Sequence, residues 1–343
     1  MTGMVSQIVF ALLAAASLWL FSKTIYERFR FRVQAVPALP FDRPARRLWR
    51  VFTEVLLQTR VIRDRPVAGI LHALVMWGFL AFAWVSLEHM WQGVRGLETA
   101  ESPGGWYGSF AAAWAAAVLV GITGLAFRRF VLRPKWLGAL SGTSALVSAL
   151  IVALMVTYLL GWGGLEAGSL AWKANWWAHT AAFFLILVVI PKSKHLHLLV
   201  GPAAIFFRSD VTSSMRALRA GDDEDMGMVR FADLSRKDLL DLNACVECGR
   251  CTEACPANNV GQTLSPKQII LQMQRGALAG GEAIVGEFVR EQDLYQCLSC
   301  GACEEACPVG IEHVGLKILD LRRGLVSEGR TSISKLTDLF NTM

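Results

Sequence analysis

Five apolar stretches, at roughly 4–22, 66–90, 106–127, 136–160 and 175–191, constrain this chain more than any other feature. A bilayer core takes about 20 apolar residues in helical form. Inside lipid the backbone must satisfy its own hydrogen bonds, so runs of this kind cross as helices. Composition agrees: 54% of the 343 residues are hydrophobic and 18% are charged, against about 25% charged in soluble domains. That excludes a simple water-soluble globule and a disordered chain. No basic region precedes the first stretch. Its apolar run continues through Leu18, Trp19, Leu20 and Phe21, past the small residues Ala14–Ala16, so it reads as a retained span and not a cleaved signal.

Lysine and arginine set the orientation. Segment 23–65 carries eleven of them and the link 128–135 carries four, whereas the alternate links carry only Arg95 and Lys173. This predicts the N-terminus outside and everything after the fifth span in the cytoplasm of an inner-membrane protein. Trp84, Trp91, Trp106, Trp162, Trp172, Trp176 and Trp177 then cluster toward the outer boundary, as packing residues or an aromatic belt. In the first cytoplasmic loop Leu48, Val51, Phe52, Val55 and Ile62 fall near helical spacing between arginines, which predicts an amphipathic helix on the membrane surface. The net charge of +6 is an average of unlike parts: residues 1–207 hold 19 basic and 8 acidic side chains, residues 208–343 hold 15 and 20. The basic excess belongs to membrane topology and is no sign of nucleic-acid binding.

Of six histidines, His72 and His89 lie on the second span, His179 on the fifth, and His195 and His197 at its cytoplasmic end. Ionisable residues at membrane depth are costly and usually functional. The 17 residues from His72 to His89 and the 18 from His179 to His197 correspond to about 26 and 27 Å of helix. Two antiparallel spans would therefore pair His72 with His197 near the inner face and His89 with His179 near the outer face. Each pair suits a haem iron held between facing helices. Eighteen residues at about 100° each return His197 to the face of His179, whereas His195 falls about 160° away. His197 is preferred and His195 is the alternative, with Pro191 able to disturb the register. No Cys-x-x-Cys-His occurs, so these would be two non-covalent, b-type haems. Glu88, beside His89, is a candidate for proton exchange with quinone.

Gly69-Ile-Leu-His72, His179 and Lys194-His-Leu-His197 resemble the gamma subunit of respiratory nitrate reductase and the cytochrome b subunits of heterodisulfide-reductase-like complexes. That resemblance, over about 200 residues, implies two haems linking a quinone site to a cytoplasmic partner.

All eight cysteines follow residue 240, in two copies of one pattern: Cys245-x2-Cys248-x2-Cys251-x3-Cys255-Pro256 and Cys297-x2-Cys300-x2-Cys303-x3-Cys307-Pro308. Three closely spaced thiolates grip three corners of a [4Fe–4S] cube from one tight loop. Structural zinc prefers two separated pairs, and a reducing compartment disfavours disulfides. The pattern resembles dicluster ferredoxins. That resemblance implies that Cys245, Cys248, Cys251 and Cys307 hold one cluster, and that Cys297, Cys300, Cys303 and Cys255 hold the other. Ser265-Pro266 predicts a capped helix start, Ser235-x-x-Asp238 another, and 282–296 and 311–328 read as helical. Residues 240–330 resemble the helical ferredoxin modules of succinate dehydrogenase iron–sulfur subunits and, more closely, of the small iron–sulfur subunit of heterodisulfide reductase.

The resulting expectation is an all-α chain. A five-helix transmembrane di-haem domain (1–207) is followed by a linker (208–240), a cytoplasmic dicluster ferredoxin domain (241–330) and a tail (331–343). The linker holds the acidic run Asp222, Asp223, Glu224 and Asp225, and His313 reads as a surface residue. Dinucleotide, P-loop and His-Glu-x-x-His motifs are absent. Every cysteine is committed to the two runs, so the Cys-Cys-Gly catalytic domain of heterodisulfide-reductase-like proteins lies elsewhere, in a separate subunit or beyond a partial chain. The expected role is electron transfer between a cytoplasmic redox partner and membrane quinone. By resemblance the partner is a Cys-Cys-Gly-type subunit or an electron-transferring flavoprotein. The rivals are a redox sensor or assembly factor without turnover, a succinate- or nitrate-type membrane subunit, and histidines serving as a proton path.

Overall fold

A computed structural model describes residues 3–30, 39, 41–96, 105–217 and 227–330. Its first helices are α1 (Gly3–Phe29), α2 (Pro44–Val51), α3 (Thr59–Asp64), α4 (Pro66–Ala81), α5 (Ala83–Arg95), α6 (Gly105–Phe127), α7 (Gly142–Gly163), α8 (Leu170–Val189) and α9 (His197–Phe206). There follow α10 (Arg236–Ala244), α11 (Arg250–Glu253), α12 (Pro256–Asn259), α13 (Pro266–Ala279), α14 (Glu291–Tyr295), α15 (Ala302–Glu305) and α16 (Asp320–Ser327). Among the described residues the only extended pairing is two isolated bridges, Arg230 with Ala283 and Val285 with Val289. The fold is all-α. The chain divides into two compact units, one of Met1–Ile25 with Phe52–Ser193 and one of Tyr26–Val51 with Lys194–Met343. The division thus falls at 193, and a basic segment of the first loop joins the second unit.

In the first unit, Gly3–Phe29, Gly105–Leu132, Gly142–Gly163 and Leu170–Lys192 are each long and apolar enough to cross a membrane. The helices α4 and α5 make a fifth span if the pair, bent by 42°, is taken as one. The fourth span begins at Gly142, later than the sequence suggests. Lys135–Leu137 is a short 3-10 turn, and Ser141 Oγ accepts from Ser144 N–H to start the helix. Close packing is set by small residues. Gly121 of α6 lies so near α4 that an added Cβ would meet Leu71 O at 2.7 Å. Trp172 and Trp176 are core residues and not part of an interfacial belt: they are buried, and Trp176 packs on Phe10 with ring centroids 5.8 Å apart. Trp84, Trp91 and Trp106 are exposed.

The helix expected across the first loop is broken. A π-turn at Phe52–Leu56 follows α2, and buried Gln58 then takes a left-handed conformation (φ 55°) before α3. In the second unit α2 packs on α9. Its Arg47 is buried and donates to the carbonyls of Phe206 (2.8 Å) and Arg208 (3.1 Å), and Arg50 donates to Arg208 O at 2.7 Å. These arginines serve the exposed carbonyl end of α9, where cations are favoured.

Of the stretch read as a linker, 227–240 carries buried Met228, Phe231 and Leu234 and the start of α10. Its acidic run (Asp222, Asp223, Glu224, Asp225) and the tail 331–343 lie outside the described residues. Both cap predictions hold: Ser235 and Asp238 form a capping box on α10, and Ser265 accepts from Gln268 N–H with Pro266 at the first helical position of α13. Over 282–296 only α14 is helical, because the two bridges hold the preceding segment as turns.

Candidate functional site

The two cysteine runs repeat one backbone. The third residue of each, Glu247 and Ser299, has φ of 55° and 56°, and the glycine after the second cysteine, Gly249 and Gly301, has φ of 79° and 75°. Left-handed residues at this spacing turn successive N–H groups toward one side of the loop and make an anion-binding concavity. Ser299 N–H reaches Cys297 Sγ at 3.4 Å, and Ile311 N–H reaches Cys307 Sγ at 3.4 Å. A one-turn helix, α11 or α15, then carries the third cysteine of each run, and Pro256 opens α12 after Cys255.

A small pocket is lined by Cys255 from the first run and by Cys297, Cys300 and Cys303 from the second, with apolar walls that include Leu264 and Val314. Burial pushes the Cys303 thiol up, and the Glu304 carboxylate and then Cys297, Cys255 and Cys300 push it further. Burial also raises Cys245, which has Cys248 and Cys307 as its thiol neighbours, and Cys251, whose thiol neighbours include Cys307, Cys245 and Cys248. Thiols held protonated by burial become thiolates when a cation replaces the proton. Among the described residues no three His, Cys, Asp or Glu side chains converge as ligands of a single ion. The donor set fits two four-iron centres: all sulfur, four thiols to each group, with an apolar pocket at the second.

Beneath the runs lies a network that sequence reasoning missed. Glu304 is buried, and its carboxylate accepts from the N–H groups of Ser213 and Val314, both at 2.6 Å. Fully buried Lys317 sits between Asp241 and Asp238, at 3.1 Å from the latter. Lys237 bridges Asp241 and Glu312, at 3.0 Å from Glu312. Burial works to lower the Lys317 pKa, but Asp241 and Asp238 outweigh it and hold the pKa above the usual value. His313 is buried and not at the surface, and among the described residues neither ring nitrogen has a hydrogen-bond partner. No local pattern marks these residues, because a lone charge in a helix reads as solvated.

In the first unit the structure brings His89 and His179 together, with ring centroids 4.9 Å apart. Thr157 donates to Ala153 O at 2.6 Å and Thr180 to Trp176 O at 2.9 Å. Each hydroxyl hydrogen is therefore used, and each histidine must donate to its threonine. His179 Nδ1 donates to Thr157 Oγ1 at 2.8 Å, and His89 Nε2 donates to Thr180 Oγ1 at 2.9 Å. An open pocket adjoins both rings, lined also by Glu88, Gln92, Tyr158 and Asn175.

His72 lies in the first unit and His197 in the second. His72 Nδ1 donates to Gln58 Oε1 at 2.8 Å, and His197 Nδ1 donates to Lys194 O at 2.9 Å. His197 and His195 are neighbours, with ring centroids 6.4 Å apart. The continuous-helix argument for His197 fails: α8 ends at Val189, Pro191 sits in a short 3-10 turn, and Ser193 is extended before α9 begins.

Metal-binding imidazoles characteristically donate their second ring N–H to a protein acceptor. His72, His179 and His197 do so through Nδ1, which makes Nε2 the deprotonated nitrogen of each ring. His89 is turned the other way. The His89–His179 pair supplies two neutral imidazoles that could hold a b-type haem, which would supply a one-electron centre; His179 presents Nε2 for this, whereas His89 Nε2 would first have to be released from Thr180 Oγ1.

Residues 241–311 match the family model described as "4Fe-4S dicluster domain". The chain is therefore an iron–sulfur protein, and its relatives are oxidoreductases. It is 28% identical to the probable iron-sulfur-binding oxidoreductase FadF of Bacillus subtilis, over 94% of this chain and 56% of that protein. It is also 28% identical to the EtfAB:quinone oxidoreductase of Syntrophomonas wolfei, over 83% of this chain and 49% of that protein. Over 28% of this chain and 53% of the relative it is 36% identical to a subunit of the ferredoxin/F(420)H(2)-dependent CoB-CoM heterodisulfide reductase of Methanosarcina acetivorans. The chain spans about half the length of the curated relatives it matches. No solved structure matches it significantly.

Proposed function

We propose that this chain is an inner-membrane electron-transfer subunit that exchanges electrons between a cytoplasmic redox partner and the quinone pool through two [4Fe–4S] clusters and two b-type haems. The observation that carries the reading is the histidine pair. His89 and His179 face each other across α5 and α8 in an apolar unit, each fixed in one tautomer by a threonine whose own hydrogen is already used. A proton path or a sensor does not require that arrangement.

A haem bound there would supply a one-electron centre, and an iron–sulfur cube on each thiol group would supply another. The chain's own residues bind and orient. Cys245, Cys248, Cys251 and Cys307 form one ligand set and Cys255, Cys297, Cys300 and Cys303 the other, in the crossed assignment. Thr157 and Thr180 hold the outer histidines, while Gln58 and the Lys194 carbonyl hold His72 and His197, the proposed inner ligands. Glu88 and Gln92 line the cavity beside His89, where quinone is proposed to exchange protons. One relative carries quinone in its name, and another is named for heterodisulfide reductase. These names support a quinone on one side and, on the other, a soluble partner of Cys-Cys-Gly or electron-transferring-flavoprotein type.

The test is anaerobic addition of a short-chain quinol to the detergent-solubilised protein. A b-type α-band grows in the wild type and is weakened in His179→Ala and in His89→Ala. An α-band unchanged in both variants, or none in the wild type, removes the outer haem from the account.

A further inference from the structure

The two cysteine runs share a backbone but not a setting. In the second unit the segment that follows the first ligand set is covered. Pro308, Val309 and Gly310, directly after Cys307, are all buried. They lie under α9: a Cβ added at Gly201 would stand 3.9 Å from both His197 Cβ and Val309 Cγ1, and one added at Gly310 would meet Arg208 Cδ at 2.9 Å. The other flank of this set is covered too. α10, which leads into Cys245, packs on α9, and Arg28 Nη1 donates to Asn243 Oδ1 at 3.1 Å. Cys245, Cys251 and Cys307 are buried and Cys248 is half-buried, so no ligand of this set is exposed.

The second set is open on one side. Cys300 is exposed, and Ser299 beside it is exposed as well. Leu298 shows 67% of its surface and Val260, five residues beyond Cys255, shows 78%. Leu298 is itself one of the residues lining the pocket that the four thiols share.

We propose that the two iron–sulfur centres have separate roles: the one on Cys255, Cys297, Cys300 and Cys303 is the terminal that exchanges electrons with a soluble one-electron partner, and the one on Cys245, Cys248, Cys251 and Cys307 is the inner relay beside His197. This rests on the cluster assignment above. In the inward direction a soluble one-electron reductant gives one electron to the terminal centre. With both clusters bound, transfer to the relay would reoxidise the terminal and reduce the relay, which would be reoxidised in turn by the one-electron acceptor of the proposed function, with no bond formed or broken. The outward direction is the same sequence reversed. A buried relay loses solvent reorganisation and gains protection, while a terminal must come within tunnelling reach of a partner that never enters the protein.

The order is testable without altering any residue. The full chain is purified anaerobically, and iron and acid-labile sulfide are measured first; a chain without about eight of each overturns the cluster assignment itself, separately from the order. The loaded protein is then exposed to a water-soluble, membrane-impermeant ferrous chelator. Samples taken over time are alkylated with iodoacetamide and mapped by mass spectrometry. Cys255, Cys297, Cys300 and Cys303 become labelled as a group, at least tenfold faster than Cys245, Cys248, Cys251 and Cys307. Equal rates, or faster labelling of the second group, overturn the proposal. Labelling of Cys255 together with Cys245, and of Cys307 together with Cys297, overturns the crossed assignment on which it stands. As a second readout, dysprosium–EDTA added to the reduced protein relaxes one cluster's EPR signal and leaves the other; equal relaxation of both contradicts the order.

Discussion

In the apolar unit Tyr107 donates to Ala81 O at 2.6 Å, Tyr158 to Gly108 O at 3.2 Å and Asn175 to Thr157 O at 2.9 Å, alongside the two threonines that hold His89 and His179. In the cysteine-bearing unit Lys317, Lys237, Asp238, Asp241 and Glu312 are buried as charges and answer one another. Where the solvent is lipid, a buried polar side chain is kept neutral and pointed at a backbone carbonyl, because an unanswered charge has no water to retreat to. Where the solvent is water, a buried charge survives if its partners surround it. The difference decides what side chains each unit offers a bound group. The first holds imidazoles in fixed tautomers, and the second holds thiols over a rigid ionic floor.

Breaking the ionic floor has the largest effect. Lys317→Met leaves Asp238 and Asp241 buried without their central cation and costs about 3–5 kcal/mol. Urea-induced loss of cluster absorbance then moves to markedly lower urea, while Arg330→Met, at an exposed pair, moves it little.

The next effect is pH dependence, and His313 is its source. Burial, and then the charge of Lys317, push its pKa down to about 3, although Asp241 pulls the other way; Lys237 adds a smaller downward push. The folded chain keeps this ring neutral. Below about pH 6.5 the unfolded chain takes up a proton that the folded chain refuses, so stability is complete above that pH and is lost as pH falls toward 3, at up to about 1.4 kcal/mol per pH unit. In His313→Leu this part of the acid slope disappears. An unchanged slope would show that the ring is not held neutral.

The smallest effect belongs to the lipid-facing style of burial. Thr180→Val removes the acceptor of His89 without changing side-chain size and costs about 1–3 kcal/mol, read as a lower thermal midpoint in detergent. If Thr180→Val costs as much as Lys317→Met, the contrast between the units is wrong.

What could be read from the chain alone follows the range of the interactions. The apolar spans and the two four-cysteine runs are local patterns, and each carries its physics within a few residues. The caps at Ser235 and Ser265 are local too. The partners that orient the site are not: Thr180 lies 91 residues from His89, Glu304 lies 91 from Ser213, and Gln58 lies 14 from His72 across a left-handed break. The register argument for His197 failed because it carried helical geometry through Pro191, where the backbone leaves the helix. His313 looked exposed because a lone histidine in a charged segment usually is; here the neighbouring charges pair with each other and leave the ring between them.

The central proposal is that iron in this chain stands in two kinds of site, sulfur-held and histidine-held. Total iron, acid-labile sulfide and the pyridine haemochrome spectrum of one purified, anaerobic sample test it most directly. The account predicts about ten iron atoms and about eight sulfides per chain, with two haems of b type making up the difference. Eight iron atoms with eight sulfides and no haemochrome band would leave an iron–sulfur protein without haem, and would contradict the account of the histidine pairs.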